Sequence, residues 1–359
     1  MSYLILESGN IYPGKNFGST LNKIGEVVFN TGITGYQEIM TDPSYYGQII
    51  AFSYPHVGNV GICNADLESG KSFAEAIITR ELPTEPSNWR SEDSLCKFLE
   101  KNNIAGLAEV DTRTLIKEIR NNGTCIGMIV NDSIAPNAAF KHVLEYKRSK
   151  VSPTSCSKNI ADLNSLSTKN HFTVGLLDLG CKKSIVQSLH KHACNVVPIN
   201  ISDKLPQISA LIISNGPGDP RDYMSEALFI QNLILKNNIP LLGICLGHQL
   251  LGLACGCTIT KLRFGHHGIN HSVKNLFTGR CFITSQNHNF VIDKSTFPKE
   301  LVITHISLLD HSIQGFEHRR KLIVGFQGHP EGGPGPIDIQ EDIMKSFILK
   351  AKLLTTTSV

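Results

Sequence analysis

The run Gly243-Ile244-Cys245-Leu246-Gly247-His248-Gln249 sets a cysteine between glycines, directly after the apolar stretch Pro240-Leu241-Leu242. That order reads as a strand, a sharp turn and the start of a helix. The turn residue is held in a strained backbone conformation, and the flanking glycines let strand and helix approach with no Cβ between them. A helix beginning after Cys245 would aim its unpaired N–H groups at the sulfur, which favours a nucleophilic thiolate. The amide of Leu246 would supply one half of an oxyanion hole. The ordinary alternative is a core cysteine, since free cysteines are among the most buried residues.

Far downstream, the apolar run Leu322-Ile323-Val324-Gly325-Phe326 ends in Gln327-Gly328-His329-Pro330-Glu331. His329 can carry a proton between the sulfur and a departing amine. Glu331 can accept from the other imidazole nitrogen and fix its tautomer. Alone, His-Pro-Glu is as easily a turn; after the cysteine elbow, in the order Cys, His, Glu, it reads as a triad. A third segment, Ser214-Asn215-Gly216-Pro217-Gly218-Asp219-Pro220, follows the buried-strand pattern Ala210-Leu211-Ile212-Ile213. A Gly-Pro-Gly loop exposes backbone donors and lets a ligand come close, although it can equally be a plain turn.

These three segments resemble the class I, triad-type glutamine amidotransferases, which carry G-x-C-x-G-x-Q, a downstream H-P-E and a glycine loop that completes the oxyanion hole. The first 150 or so residues extend the resemblance. G-E-V-V-F-N-T-G-I-T-G-Y-Q-E-I-M-T-D-P-S-Y from Gly25 to Tyr45, Y-P-H-V-G-N-V-G from Tyr54 to Gly61 and D-T-R from Asp111 to Arg113 are similar to the amino-terminal domain of carbamoyl-phosphate synthetase small subunits. So are F-G-H-H-G-I-N-H from Phe264 to His271 and Q-N-H-N-F from Gln286 to Phe290. The resemblance implies catalytic roles for Cys245, His329 and Glu331. It implies glutamine binding by Ser44, Gly216, Gly218, Leu246, Gln249, Asn287, Asn289 and Phe290. Asn289 stands where that family usually has glycine; asparagine is the non-glycine residue that best tolerates a positive φ.

The implied reaction is hydrolysis of L-glutamine through a cysteinyl thioester. Ammonia would pass to a large synthetase subunit, the implied partner, which makes carbamoyl phosphate from bicarbonate and ATP for arginine and pyrimidine synthesis. No cofactor is expected on this chain, ATP and magnesium being used by the partner; no G-x-x-x-x-G-K-[ST] loop is present. The alternatives are an amidotransferase subunit of another synthase and a non-catalytic regulatory or binding subunit.

Composition narrows the classes. The 359 residues carry a net charge of +3, too small to argue for nucleic acid. No run reaches the length of a membrane span. The ten cysteines show no disulfide-framework spacing and point to a reducing compartment. Cys255 and Cys257 near His266, His267 and His271 do not have a common zinc spacing, so no metal site is expected. Gly265-His266-His267-Gly268 is expected as a loop over the site, and His248 as structural. The start Met1-Ser2-Tyr3-Leu4-Ile5-Leu6 lacks secretory or transit character. A soluble protein of a bacterial cytoplasm or, given the Asn, Ile and Lys richness, a plastid stroma is expected.

The elements that must position these residues follow from periodicity. Residues 1–151 form an α/β domain of short strands such as Gln48–Phe52, with a helix from Ser94 to Asn102, expected to associate with the large subunit. The Ser/Asn/Thr-rich stretch 152–171 reads as a linker. In 172–359, strands at Thr173–Asp178, Asn195–Ile199 and Leu211–Ile213 alternate with helices at Lys183–His190 and Ala227–Leu235. That implies a mostly parallel sheet flanked by helices, with the site at the strands' carboxyl ends.

Overall fold

The computed structural model describes residues 2–81, 85–131, 134–146, 172–236 and 239–356. The connector expected at 152–171 lies outside them. Contacts divide the chain into two units, one of residues 1–150 with Arg263–Gly268 and one of 151–262 with Ile269–Val359.

In the first unit, β1 (Ser2–Leu6), β2 (Ile11–Gly18), β3 (Lys23–Asn30), β4 (Gln48–Phe52), β5 (Ala76–Ile78), β6 (Ala105–Ala108) and β7 (Cys125–Val130) close into a barrel of order β1-β2-β6-β5-β4-β3-β7. Closure removes the unpaired sheet edges. The helices are α1 (Tyr36–Thr41), α2 (Leu95–Lys101), α3 (Thr112–Asn122) and α4 (Pro136–Glu145). Ser94 caps α2 by accepting from the Lys97 amide, and Asp111 caps α3 through Thr114, each satisfying an otherwise orphaned donor. Alternation along β4 divides the interior: Ile50 and Phe52 pack with Val28, Tyr45 and Leu99, whereas Ile49 and Ala51 pack with Leu4, Val27 and Leu115. The segment 263–268 belongs here because Thr31 and Thr124 donate their amides to the His267 and Arg263 carbonyls.

In the second unit, β8 (Thr173–Leu177), β9 (Asn195–Ile199), β10 (Ala210–Ile213), β11 (Leu241–Ile244), β12 (Ile259–Asn275), β13 (Cys281–Ile292), β14 (Leu301–Ser307), β15 (Ile313–His318) and β16 (Ile323–Phe326) form one sheet of order β13-β12-β14-β15-β16-β11-β10-β8-β9. The strands from β16 to β9 run parallel to one another, as expected. An antiparallel wing continues through β15, β14 and β12, which the strand–helix alternation did not anticipate because hairpins carry no helix between strands. The sequence 265–268, expected as a loop, lies inside β12, where the His267 carbonyl accepts from the Thr31 amide and context overrides the weak strand preference of glycine.

The helices of this unit are α5 (Lys183–Lys191), α6 (Met224–Lys236), α7 (Leu246–Ala254) and α8 (Ser346–Thr356). The parallel strands are apolar on both faces, and side-chain alternation sorts them. Val174, Leu176, Ile212, Leu242 and Ile244 face Ile185 and Leu189 of α5 and Phe347 and Ile348 of α8. Leu177, Leu211, Ile213 and Leu241 face Ile230 and Leu233 of α6 and Leu250 and Leu251 of α7. Each fully buried aliphatic side chain contributes about 1.5–3 kcal/mol, so this double-sided core rigidly fixes the strand ends. No helix among the described residues is long and apolar enough to cross a membrane.

Candidate active site

β11 runs into α7 with Cys245 between them at φ 54° and ψ −106°, a conformation rarely tolerated by a residue with a Cβ. Four approaches enforce it. The Cys245 amide donates to the Phe326 carbonyl at 2.9 Å and the Gly247 amide to the Ser214 carbonyl at 3.1 Å. A Cβ at Gly243 would lie 2.4 Å from the Gly247 oxygen, and one at Gly247 2.1 Å from the Ile213 oxygen. Both glycines are therefore required by close approach rather than by positive φ. The amide of Leu246 opens α7 and has no intrahelical acceptor.

β16 leads to His329, whose own amide donates to Ser285 O at 3.0 Å, tying it to β13. Its Nδ1 lies 2.7 Å from Glu331 Oε1. Because a carboxylate only accepts, Nδ1 carries the proton and Nε2 is the exchanging nitrogen. Nε2 is buried. Burial lowers the His329 pKa, but the Glu331 carboxylate outweighs it, the Cys245 side chain adds to the rise, and the net change is upward. Burial conversely pushes Glu331 up, and Lys182 and then His329 bring it well below the usual carboxylate range. The buried pair therefore favours the imidazolium over the neutral ring.

Lys182, just past β8, is a member of this group that the motif reading did not find. It is 1% exposed, and its Nζ donates to Glu331 Oε1 at 2.9 Å and to Gly332 O at 2.7 Å. The Asn215 Oδ1 accepts the Lys182 amide at 3.1 Å. Gln327 is the second addition. Its Nε2 points at Cys245 Sγ at 3.8 Å, and its Oε1 accepts from Gln249 Nε2 at 3.1 Å. The only sequence signal for either was position, Lys182 soon after a buried strand and Gln327 two residues before His329.

The other expected residues divide by place. The Cys245 thiol donates to Asn287 O at 3.5 Å, and Gln249 Nε2 to Phe290 O at 2.7 Å, so Asn287, Gln249 and Phe290 gather around Cys245. Asn289 lies between them in β13 and is not among the positive-φ residues, so the strand holds it without the strain a replaced glycine would have implied. At Gly216 a Cβ would meet Leu179 O at 2.2 Å; Gly218 has φ +94°, and Tyr223 Oη pins the loop by donating to Pro217 O at 2.7 Å. Ser44 belongs to the first unit, buried in the turn Pro43–Tyr45 with its amide donating to Asp42 Oδ1 at 2.9 Å.

His248 lies one helical turn from Cys245 but is fully buried against Phe316, ring centroids 5.0 Å apart. Burial lowers its pKa to about 3, so it is neutral and packed, as its structural reading expects. No metal-binding group of His, Cys, Asp and Glu occurs among the described residues.

Residues 4–129 match the carbamoyl-phosphate synthase small chain, CPSase domain, and residues 175–351 match the glutamine amidotransferase class-I family. The carbamoyl phosphate synthase small chain of Wigglesworthia glossinidia brevipalpis is 42% identical, across 96% of this chain and 94% of that one. This chain belongs to the carbamoyl-phosphate synthase small-chain family. The carbamoyl phosphate synthase pyrimidine-specific small chain of Bacillus subtilis is also 42% identical, over 93% of this chain and 92% of that one. Among solved structures, a glutamine amidotransferase from Thermotoga maritima aligns with 45% of this chain and 77% of its own at 20% identity and TM-score 0.38. The family members named here are bacterial, and their lengths are almost wholly spanned by this chain.

Proposed function

We propose that this small chain is the glutaminase subunit of a glutamine-hydrolysing carbamoyl-phosphate synthase, with Cys245, His329 and Glu331 as its catalytic residues. The observation that carries the reading is a strained cysteine at a strand end beside an imidazole whose far nitrogen is held by a buried carboxylate at 2.7 Å. The Cys245 sulfur adds to the carboxamide carbon of glutamine. The developing oxyanion is met by the amide of Leu246 and by the loop at Gly216 and Gly218. The His329 imidazolium gives its Nε2 proton to the leaving nitrogen, and ammonia departs. The now neutral imidazole takes a proton from water, whose oxygen attacks the thioester, releasing glutamate and returning the sulfur.

Gln249, Asn287, Asn289 and Phe290 bind the amino-acid portion of glutamine in this reading; the family resemblance alone assigns Ser44 a glutamine-binding role. The partner is a large synthetase subunit that binds ATP and magnesium and uses the ammonia for carbamoyl phosphate, serving pyrimidine and arginine synthesis. The Asn, Ile and Lys richness supports a bacterial cytoplasm or a plastid stroma, to be checked by fractionation of the source cells.

The deciding experiment mixes this chain with a matching large subunit, amide-¹⁵N glutamine, bicarbonate and ATP. Label in carbamoyl phosphate only in the mixture is expected. Glutamate release without labelled product would redirect the ammonia to another acceptor, and no hydrolysis would reject the glutaminase.

A further inference from the structure

We propose that Gln327 is a positioning residue that locks the substrate-facing carboxamide of Gln249 and the Cys245 sulfur to one another. The inference rests on the glutaminase reading above.

The hydrogen-bond chain fixes every amide orientation in turn. The Phe290 carbonyl can only accept, so the nitrogen of Gln249 must face it, at 2.7 Å. The second hydrogen on that nitrogen goes to Gln327 at 3.1 Å, where only Oε1 can receive it. The Gln327 nitrogen must then point the other way, and there it meets Cys245 Sγ at 3.8 Å. Gln327 is fully buried, Gln249 is 3% exposed and Cys245 2%, so water does not compete readily for these bonds.

Two consequences follow. With both hydrogens of its nitrogen engaged, Gln249 is left with its Oε1, an acceptor suited to the ammonium group of an amino acid. The Gln327 N–H, donated to the sulfur, favours the thiolate over the thiol. Gln327 would thus act on substrate affinity through Gln249 and on nucleophile reactivity directly.

The test uses the full chain in complex with its large subunit. Gln327→Met keeps the bulk and removes both hydrogen-bonding ends. Two readouts are followed: KM for glutamine, and the neutral-pH rate at which iodoacetamide alkylates Cys245, read by mass spectrometry of that peptide. One lost hydrogen bond predicts about a fivefold rise in KM and about fivefold slower alkylation, recovering as pH is raised. In a Gln249→Ala background the same substitution should leave KM unchanged, because its effect passes through Gln249. The melting temperature of the small chain and its association with the large subunit should be unaffected, which a merely misfolded variant would not achieve. If Gln327→Met does not fold, Gln327→Asn, too short to span both partners, carries the same expectations. Unchanged alkylation, or KM effects that add in the double variant, would overturn the proposal. Should the unsubstituted complex turn over no glutamine, the glutaminase reading fails by itself and the alkylation comparison alone decides on Gln327.

Discussion

Replacing Glu331 with glutamine removes one charge from a buried trio and separates its effects on fold and chemistry. In the native site burial lowers the His329 pKa and the carboxylate raises it, with a net rise from 6.5 to about 10. A shift of that order corresponds to several kcal/mol of preference for the imidazolium, and Glu331 must supply more than the net because burial and Lys182 oppose it. In Glu331→Gln both opposing influences remain, so the imidazole should be neutral at pH 7 and unable to protonate the leaving nitrogen. General acid–base catalysis is worth about 10²–10⁴ in rate, and kcat for glutamine hydrolysis should fall within that range. Measured from pH 5 to 9, residual activity should rise toward low pH, where the imidazole regains its proton. The substitution also takes the Glu331 charge away from the buried Lys182 ammonium, 2% exposed at its side chain, costing about 3–5 kcal/mol of stability. The double variant Lys182→Met/Glu331→Gln removes both charges, so it should recover most of the melting temperature and none of the activity. Activity within about tenfold of native with an unshifted pH profile would refute the idea that Glu331 holds the proton on His329.

Cys245→Ser should abolish glutamine hydrolysis while folding and association with the large subunit persist; loss of that association would identify a structural cysteine instead. Thermal melts should show the buried pair's linkage. The Glu331 contribution is present above its unfolded pKa of 4.5 and is lost as pH falls toward about 2. The His329 contribution is present below 6.5 and is lost as pH rises toward about 10. The difference in melting temperature between native chain and Lys182→Met/Glu331→Gln should therefore be greatest between those unfolded values and shrink on either side. Gly216→Ala, whose Cβ would sit 2.2 Å from the Leu179 oxygen, must displace the loop, so a lower kcat and a lower melting temperature are expected together. His248, neutral with its pKa near 3, predicts an unchanged pH–rate profile in His248→Asn despite lost packing; a moved limb would bring it back as an acid–base group.

The residues proposed as catalytic stood out in the sequence because each is encoded locally. An elbow declares itself by glycines two positions either side of Cys245, and Glu331 follows its imidazole by two residues. The helices at 183–191 and 224–236 and the strands beside them were readable for a similar reason, the apolar period within a short window. Lys182 and Gln327 were not readable, because what makes them matter is distant. Lys182 meets Glu331 across 149 positions and Gln327 meets Cys245 across 82, and neither belongs to a short motif that names its partner. The antiparallel wing escaped for the complementary reason: β12 is rich in glycine and histidine, and its state is set by pairing rather than by propensity. Sheet order nevertheless supplies the missing rule. β8, β10, β11 and β16 are successive neighbours, all parallel, and the residues just beyond their carboxyl ends are Lys182, Gly216, Cys245 and His329. Sites in such sheets gather at those ends. A buried-strand pattern followed closely by a lysine, as at Thr173–Lys182, therefore identifies a site candidate once its strand is known to lie in the same parallel run as the one that leads into Cys245. The polar residues that follow a central parallel strand are better guides to the remaining machinery than any further search for motifs.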